Sequence, residues 1–310
     1  MCRKKVVIPA QAGIQEGSSN LKILDPRFRG EDRKILFYEL INSAGLKMKF
    51  CVLGSGSKGN ATYLESGKTR ILIDAGMSGV ELQRRLSTIG VELAEIDAIL
   101  VTHEHNDHVH GVGVLSRRVN IPVHANPATF SAASKTVRKL FSSEEFETGV
   151  SFQIRNLEIH PFAISHDAHD PVGFRISDGK VSFGYCTDTG KVSQLIRHRL
   201  ASCKGLVLES NHDIEMLQNG TYPPYLKQRI RSSQGHLDNE VAAAFLKELL
   251  HEKLEHVVLA HLSEENNDPA VAYRVAMAAA GNNSNCREMD LQISVANQNC
   301  AGELICLSNR

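Results

Sequence analysis

Residues 102–108, written THEHNDH, constrain this chain most, because they follow the apolar run IDAILV and place His103, His105, Asp107 and His108 within six positions. In extended backbone, side chains two apart point the same way, so His103 and His105 can face one metal ion as the chain leaves a strand. Asp107 and His108 follow as the chain turns toward a helix and can face a second ion. With 14 His in 310 residues, a chance match to H-x-H-x-D-H has a probability on the order of 10⁻³. The segment predicts a metal site at the end of a buried strand.

Two ions need more than four ligands, and further candidates end other apolar strand patterns. They are Asp74 in LIDAG, His166 in ISHDA, Asp188 in CTDTG and His261 in LAHLS. DAG and DTG are also ordinary turn sequences, which leaves Asp74 and Asp188 open to a turn role. Mixed imidazole and carboxylate ligands suit Zn²⁺, Mn²⁺ or Fe²⁺ rather than a thiolate site.

The third histidine of the set has competitors in His160 and His169. We favour His166 because it directly ends the strand pattern PFAIS, and His169 is the alternative. The remaining histidines in strand or helix patterns lack a partner motif, and we interpret them as structural.

Composition bounds the class of protein. Lys and Arg together number 35, as do Asp and Glu, so the molecule as a whole has no net attraction for nucleic acid or anionic lipid. The seven Cys are scattered without a C-x-x-C pair, which argues against a disulfide scaffold or a zinc ribbon and favours reduced thiols. No apolar run approaches the length of a membrane span or a secretory signal. We therefore expect a cytoplasmic protein with no membrane association and no obligate protein partner.

Regular strand and helix patterns begin only at Met48. Residues 1–47 contain Pro, Gly and charged runs without a sustained period, apart from the short apolar patch KILFYELI. We predict an N-terminal extension over residues 1–47 that is not part of the fold, and one catalytic domain over residues 48–310. From there, strand patterns come first in meander-like groups and then alternate with helices, which predicts two mixed β-sheets covered by helices on their outer faces. The last pattern, LQISVANQNCAGELICL, predicts a terminal hairpin.

The ordered motifs resemble the metallo-β-lactamase superfamily of hydrolases over residues 48 to about 308. The resemblance implies an α/β fold, a four-layer αββα sandwich, and two divalent transition-metal ions, Zn or Mn. It implies one ion held by His103, His105 and His166, another held by Asp107, His108 and His261, and Asp188 as a bridge. Asp74 would orient the ligand loop from behind rather than bind a metal.

A narrower resemblance rests on GSGSKGNA, SHDAHDPVGF, ESNHD with YPPYLKQRI, and GHLDN. These stretches are similar to the YycJ/WalJ group of bacterial exonucleases, which act on DNA from the 5′ end, so DNA strand ends are the expected substrate. That group commonly has Ser where this chain has Asp238.

Catalytic and substrate roles follow as hypotheses. Asp107 would orient the attacking hydroxide and accept its proton, and His236 or His212 would contact the scissile phosphate or protonate the leaving group, a capping or packing role being the alternative for each. The glycine-rich first motif could be a hairpin turn or a phosphate loop. The candidate substrate-binding residues are Ser57, Asn60, Asn211, Lys227, Arg229 and Arg231, although a basic run such as the last three can equally be a solvated face.

Three other functions compete with this hypothesis. A small-molecule phosphodiesterase or thioester hydrolase would use the same metals in a closed pocket. A di-iron oxygen-reducing protein would need an acidic ligand at position 105, which is His105 here. A scaffold without catalysis would lack ligands, and this sequence has the full set.

Overall fold

The computed structural model describes residues 47–281 and 290–309. The strands are β1 (Met48–Gly54), β2 (Ala61–Ser66), β3 (Thr69–Ile73), β4 (Ala98–Leu100), β5 (Pro122–Ala125), β6 (Ser142–Glu145), β7 (Phe152–Ile154), β8 (Leu157–Ala163), β9 (Val172–Ser177), β10 (Ser182–Cys186), β11 (Gly205–Glu209), β12 (His256–Ala260), β13 (Gln292–Val295) and β14 (Ile305–Cys306). The α-helices are Gly79–Thr88, Asn106–Val109, Val112–Val119, Pro127–Val137, Gln194–Leu200, Ile214–Asn219, Pro224–Ile230, Asn239–Leu249 and Pro269–Gly281, and a 3-10 turn spans Leu93–Glu95.

The described part of the chain forms two seven-stranded sheets, ordered β14-β1-β2-β3-β4-β5-β6 and β13-β12-β11-β10-β9-β8-β7. In each sheet an antiparallel group leads into a parallel one. The first sheet changes between β2–β3, which is antiparallel, and β3–β4, which is parallel. The second changes between β9–β10 and β10–β11 in the same way. Parallel strands end at the same edge of a sheet, so residues that follow them in sequence collect at one edge.

Alternation along the strands separates the core into layers. Phe50 and Val52 belong to the apolar cluster between the sheets, whereas Cys51 and Leu53 belong to the cluster under the first group of helices. The rings of Phe50 and Phe183 meet across the sheets with centroids 4.7 Å apart. Because the central strands are buried on both faces, their sequences are apolar runs rather than alternating patterns.

Helices cover the outer face of each sheet. The second sheet packs its outward residues, including Leu206 and Leu259, against Phe245 and Leu246 of the helix Asn239–Leu249 and against Ala276 of Pro269–Gly281. The first sheet packs in the same way against Gly79–Thr88 and Val112–Val119. The α/β sandwich with four layers is confirmed.

The predicted terminal hairpin is wrong. β13 joins the second sheet beside β12, whereas β14 joins the first sheet beside β1. The physical reason is backbone pairing: each strand supplies hydrogen-bond partners to the edge of a different sheet, and the segment between them crosses from one sheet to the other, with Gly302 N donating to Val52 O at 2.9 Å. Alternating apolar residues predicted two strands correctly but could not predict their partners.

The predicted extension, residues 1–47, lies outside the described residues except for Lys47. Within the described ranges, no helix is long and apolar enough to cross a membrane.

Candidate metal centre

Strand ends of both sheets supply the predicted site residues. Asp74 follows β3 and His103 lies three residues beyond β4, both in the first sheet. Asp188, Glu209 and His261 lie at the ends of β10, β11 and β12, three neighbouring strands of the second sheet. The candidate centre therefore lies where the C-terminal ends of these strands from the two sheets meet.

Three of these strand-end residues turn sharply. Asp74, Asp188 and His261 have φ angles of 61°, 57° and 57°, in the left-handed region that side chains other than glycine rarely adopt. All three are buried. Backbone strain of this kind costs on the order of 1 kcal/mol or more per residue and persists where the surroundings enforce it, commonly at functional sites. A simple solvent-exposed turn does not account for Asp74 or Asp188.

Asp74 fixes the loop that carries the H-x-H-x-D-H residues. Its carboxylate accepts hydrogen bonds from Thr102 N at 2.8 Å and Thr102 Oγ1 at 2.9 Å, and its Oδ2 lies 2.8 Å from His108 Nδ1. Burial raises the pKa of Asp74 although His108 opposes the shift. With Nδ1 occupied by Asp74, the Nε2 atom of His108 faces the interior of the centre.

The loop also needs a glycine opposite Asp107. A Cβ on Gly76 would lie 1.6 Å from the carbonyl oxygen of Asp107. Asn60 N donates to that same carbonyl at 2.7 Å, and Ala75 N donates to His108 O at 2.9 Å. The segments that follow β1 and β3 thus hold the ligand loop in place by hydrogen bonds to its backbone carbonyls.

Three imidazoles converge in the first group of candidate ligands. His105 Nδ1 lies 3.1 Å from His103 Nε2 and 3.2 Å from His166 Nε2. These separations match the edge of a tetrahedron whose Zn–N distances are about 2.0–2.1 Å. Burial lowers the pKa of His103 well below its ordinary value, so its ring is neutral, which is the form that binds metal.

A second group combines carboxylate and imidazole. Asp107 Oδ2 lies 3.5 Å from His108 Nε2 and 3.6 Å from His261 Nε2. Asp188 lies between the two groups, with Oδ2 at 3.5 Å from His108 Nε2 and Oδ1 at 3.9 Å from His166 Nε2. Among the described residues, the buried Asp188 Oδ2 has no hydrogen-bond partner. A buried carboxylate oxygen without a donor, facing several imidazoles, fits a bound cation.

The charges of the second group stabilise one another. Burial alone would raise the pKa of Asp188, but His261 and His108 lower it well below its usual range. Burial alone would lower the pKa of His261, but Asp188 and Asp107 raise it to about 10. The carboxylates are therefore ionised at neutral pH, as metal ligands must be.

Glu209 lies in the candidate centre but is not among the site residues predicted from the sequence. It is fully buried, and its carboxylate accepts hydrogen bonds from Asp188 N at 3.1 Å, Thr189 N at 3.0 Å and Leu237 N at 3.0 Å. Its Oε1 also lies 2.8 Å from His236 Nδ1 and 3.0 Å from His261 Nδ1.

Glu209 could be a ligand by position, because it lies within reach of Asp188, His236 and His261. We interpret it instead as the residue that orients these ligands, because its two oxygens already face five donors. Burial alone would raise its pKa, but His236 lowers the value to about 2. The signal in the sequence was available: GLVLE ends an apolar strand with a charge, as LIDAG and CTDTG do.

The two candidate acid histidines occupy different environments. The ring of His236 lies 5.2 Å from that of His166 and 5.0 Å from that of His261, with Nδ1 on Glu209, so its Nε2 is available to the centre. His212 is buried, its carbonyl accepts from Asn239 N at 2.9 Å, and its Nδ1 has no partner within the described ranges. The geometry favours His236 over His212 as a group that reaches substrate.

The predicted substrate-binding asparagines hold ligand loops. Asn60 Nδ2 lies 3.1 Å from Asp107 Oδ2, while its Oδ1 accepts from Gly56 N at 2.9 Å. Asn211 Nδ2 donates to His261 O at 2.7 Å. Both asparagines are buried, whereas Ser57 is exposed on the same loop as Asn60. The structure thus brings Asn60 to the centre as a support for Asp107.

The alternative third histidine lies outside the cluster. His169 is exposed, and its Nδ1 lies 2.6 Å from Glu104 Oε1. The basic residues also separate: Lys227 Nζ donates to Gln218 O at 2.8 Å and Gly220 O at 2.7 Å, Arg229 Nε donates to Asp167 Oδ2 at 2.6 Å, and Arg231 is exposed.

Residues 69–262, which include nearly all of these site residues, match the Beta-lactamase superfamily domain. The chain belongs to the metallo-β-lactamase superfamily. It is 41% identical over 229 residues to the exodeoxyribonuclease WalJ of Streptococcus pneumoniae serotype 2, covering 73% of this chain and 85% of that protein. It is 36% identical over 222 residues to the exodeoxyribonuclease YycJ of Bacillus anthracis, covering 71% and 84%.

A solved structure shows the same fold. The metallo-β-lactamase fold protein YhfI from Bacillus subtilis superposes with a TM-score of 0.64 at 18% identity, covering 83% of this chain and 99% of that one. The predicted membership of this superfamily and the resemblance to the WalJ and YycJ group are confirmed, and the chain is a metal-dependent hydrolase of this fold.

Proposed function

We propose that this chain is an exodeoxyribonuclease that uses two divalent transition-metal ions, Zn²⁺ or Mn²⁺, to remove nucleotides from the 5′ end of DNA. The observation that carries the proposal is the buried Asp188 carboxylate between two groups of candidate ligands, with one oxygen that has no donor among the described residues. The substrate follows from the relatives, which are exodeoxyribonucleases at 41% and 36% identity.

Seven residues would hold the two ions. One ion would have the three imidazoles of His103, His105 and His166, the other would have Asp107, His108 and His261, and Asp188 would contact both. When bound, such ions supply a nucleophilic hydroxide at neutral pH and neutralise charge on the phosphate.

The protein's own groups manage the protons of the reaction. Asp107 is partly exposed and Asn60 holds its carboxylate, so it would accept the remaining proton of the attacking hydroxide as the new P–O bond forms. His236 donates its Nε2 proton to the leaving oxygen as the old P–O bond breaks. Glu209 keeps this ring oriented by its contact with Nδ1.

End-labelled substrates test the proposal. The full chain, loaded with Mn²⁺ or with Zn²⁺, is incubated with DNA labelled at the 5′ end, DNA labelled at the 3′ end, the matching RNA and a small activated phosphodiester. We expect 5′ label to appear at once as the smallest product and 3′ label to appear in a ladder of shortening strands. Asp188→Asn serves as the control for contaminating nucleases.

Each departure has a distinct meaning. The reverse labelling pattern overturns the 5′ direction, and elemental analysis with no more than one metal per loaded chain overturns the paired ions. Intact DNA alongside rapid turnover of the small phosphodiester, or of a thioester, assigns the site to a small-molecule hydrolase instead.

A further inference from the structure

The helix Pro224–Ile230 differs from the other helices around the centre because every one of its residues keeps part of its surface exposed. Pro223 is its N-cap and Pro224 its first residue, an arrangement that presets the backbone for a helix start. Most helices in proteins are stabilised by burying an apolar face. This one is held by another means.

Polar contacts anchor the helix at three points. Lys227 Nζ donates to the carbonyls of Gln218 and Gly220, which precede the helix. Arg229 Nε donates to Asp167 Oδ2 at 2.6 Å. His236 N donates to Ile230 O at 2.9 Å, which ties the end of the helix to the candidate acid. The helix is therefore positioned, yet its outer face stays available.

The anchor at Arg229 lies beside the candidate metal ligands. The same Asp167 that pairs with Arg229 has its other oxygen 3.4 Å from His166 Nε2 and 4.0 Å from His105 Nε2. The Arg229 side chain itself is 57% exposed. The solvent-exposed guanidinium of Arg229 is thus linked to the candidate metal ligands through a single residue, Asp167.

Tyr225 lies one turn before Arg229 on the same face of the helix. Residues four apart on a helix have their Cβ atoms about 5–6 Å from each other. Tyr225 is 74% exposed, far more than the 42% of Tyr273 on the helix Pro269–Gly281. An aromatic ring in water next to an arginine is the arrangement that proteins use to stack a base and bind the adjoining phosphate.

We propose that the helix Pro224–Ile230 is a strand-binding arm, in which Tyr225 stacks on an unpaired base near the scissile bond and Arg229 binds a flanking phosphate. The inference rests on the proposed function. Lys227 serves the arm as an anchor to carbonyl groups rather than as a phosphate contact. Since stacking needs a base that is out of a duplex, the arm selects a single-stranded end.

Steady-state kinetics on a single-stranded oligonucleotide test the arm. Stacking contributes about 1–3 kcal/mol per base, so Tyr225→Ala should raise KM by about 5- to 150-fold, whereas Tyr225→Phe retains stacking and should rescue binding. Arg229→Gln should raise KM and reduce the slope of log KM against log salt by about 0.7. The matched control is Tyr273→Ala, which also removes an exposed tyrosine and should behave as wild type.

Abasic substrates distinguish stacking from a structural effect. Removing one base at successive positions from the end should raise the KM of the wild type at the stacked position, and there Tyr225→Ala should add no further loss. Metal content and melting temperature of each variant check that it is folded and loaded.

Two outcomes overturn the arm. If the wild type degrades DNA while Tyr225→Ala keeps a wild-type KM, the arm is wrong and the proposed function stands. If the loss in Tyr225→Ala is the same for every abasic substrate, the ring is structural rather than stacked. A wild type that turns over only a small phosphodiester removes the proposed function and the arm together.

Discussion

The two sheets contribute to the candidate centre in different ways. The first sheet supplies four ligand candidates, His103, His105, Asp107 and His108, from one loop after β4. The second supplies His166, Asp188 and His261 one at a time, after β8, β10 and β12. The relative positions of the first four ligand candidates are set by their spacing along one loop, whereas those of the other three depend on how three strands pack. The geometry of the ligand candidates on the second sheet is therefore more sensitive to changes in the fold.

Each sheet also places a buried carboxylate behind its ligands. Asp74 contacts Thr102 and His108, so it supports a single ligand and the backbone of its loop. Glu209 contacts His236 and His261 and three backbone N–H groups, so it joins a ligand, the candidate acid and the loop of Asp188. Ligand candidates that are close together in sequence therefore need little support, whereas those that come from separate strands need a common hydrogen-bond acceptor.

The largest effect on metal content and activity should come from replacing Asp188, which lies between the two groups of candidate ligands. Asp188→Ala removes the carboxylate between both ligand groups, so we expect it to lose both metals and all activity. Asp107→Ala removes a ligand on one side, so we expect one metal to remain while activity falls by about 10²- to 10⁴-fold with the loss of the proton acceptor. Elemental analysis and DNA cleavage measure both. Retention of two metals by Asp188→Ala would contradict a bridging position.

A smaller effect should come from the supporting carboxylates, in an order set by their contacts. Residues behind metal ligands typically contribute about 10- to 100-fold to metal affinity or activity. Glu209→Gln should reach the upper end, because the amide cannot accept from all five donors, and Asp74→Asn the lower end. Metal titration measures affinity, and cleavage of DNA measures activity. An equal loss of metal affinity and activity in both variants would show that the ligand candidates of the two sheets depend equally on their supporting carboxylates.

The sequence predicted the half of the centre that is local. THEHNDH specifies its own geometry, because alternation along a strand end and one turn of helix determine which side chains face together. The order of apolar runs also predicted two mixed sheets with outer helices and the strand-end positions of Asp74, Asp188 and His261, whereas the four-layer sandwich was implied by the family resemblance. The roles of these residues as metal ligands stay predictions.

The sequence could not give contacts that depend on tertiary packing. The charge that ends the apolar run GLVLE marks Glu209 as a candidate, but its role depends on five donors from segments as distant as residues 188 and 261, and their convergence cannot be read from the sequence. The predicted pairing of β13 with β14 was wrong for the same reason, because each strand pairs with the edge of a different sheet. The basic run at 227–231 looked uniform, yet the structure gives Lys227 and Arg229 different partners.

A carboxylate in the first sheet that has its own cations provides a contrast to Asp188. Glu65 accepts from Lys49 Nζ and Tyr63 Oη, each at 2.6 Å, and pairs with Arg70. Burial alone would raise the pKa of Glu65, but Lys49 and Tyr63 lower it. Because the folded pKa is depressed, its stabilisation is present above the unfolded value of about 4.3 and is lost as pH falls through the folded value.

Glu65→Gln should therefore destabilise the protein at neutral pH by about 1–3 kcal/mol, as expected when a buried hydrogen-bonded group loses its charge. The difference from wild type should begin to shrink as pH falls below about 4, where the carboxylate of the unfolded chain takes up a proton, and should disappear as pH falls through the lower pKa of the folded state. Denaturant unfolding of chelated samples at both pH values measures this without a contribution from metal loss. A difference that does not change with pH would assign the effect to shape rather than charge.

The smallest effect should follow deletion of residues 2–47, which tests whether the first sheet is complete without them. β1 begins at Met48, whose side chain is fully buried, and it pairs with β2 on one side and β14 on the other. Within residues 47–281 and 290–309, both edges of this strand are paired with residues after 47, and its two faces pack into apolar clusters of described residues. Since one kcal/mol shifts the melting temperature of a domain of this size by about 2–4 °C, we expect the two melts to agree within about 2 °C, with the same metal content. A larger loss on truncation would show that the apolar patch KILFYELI packs onto the domain and that the first sheet, like the second, depends on distant segments.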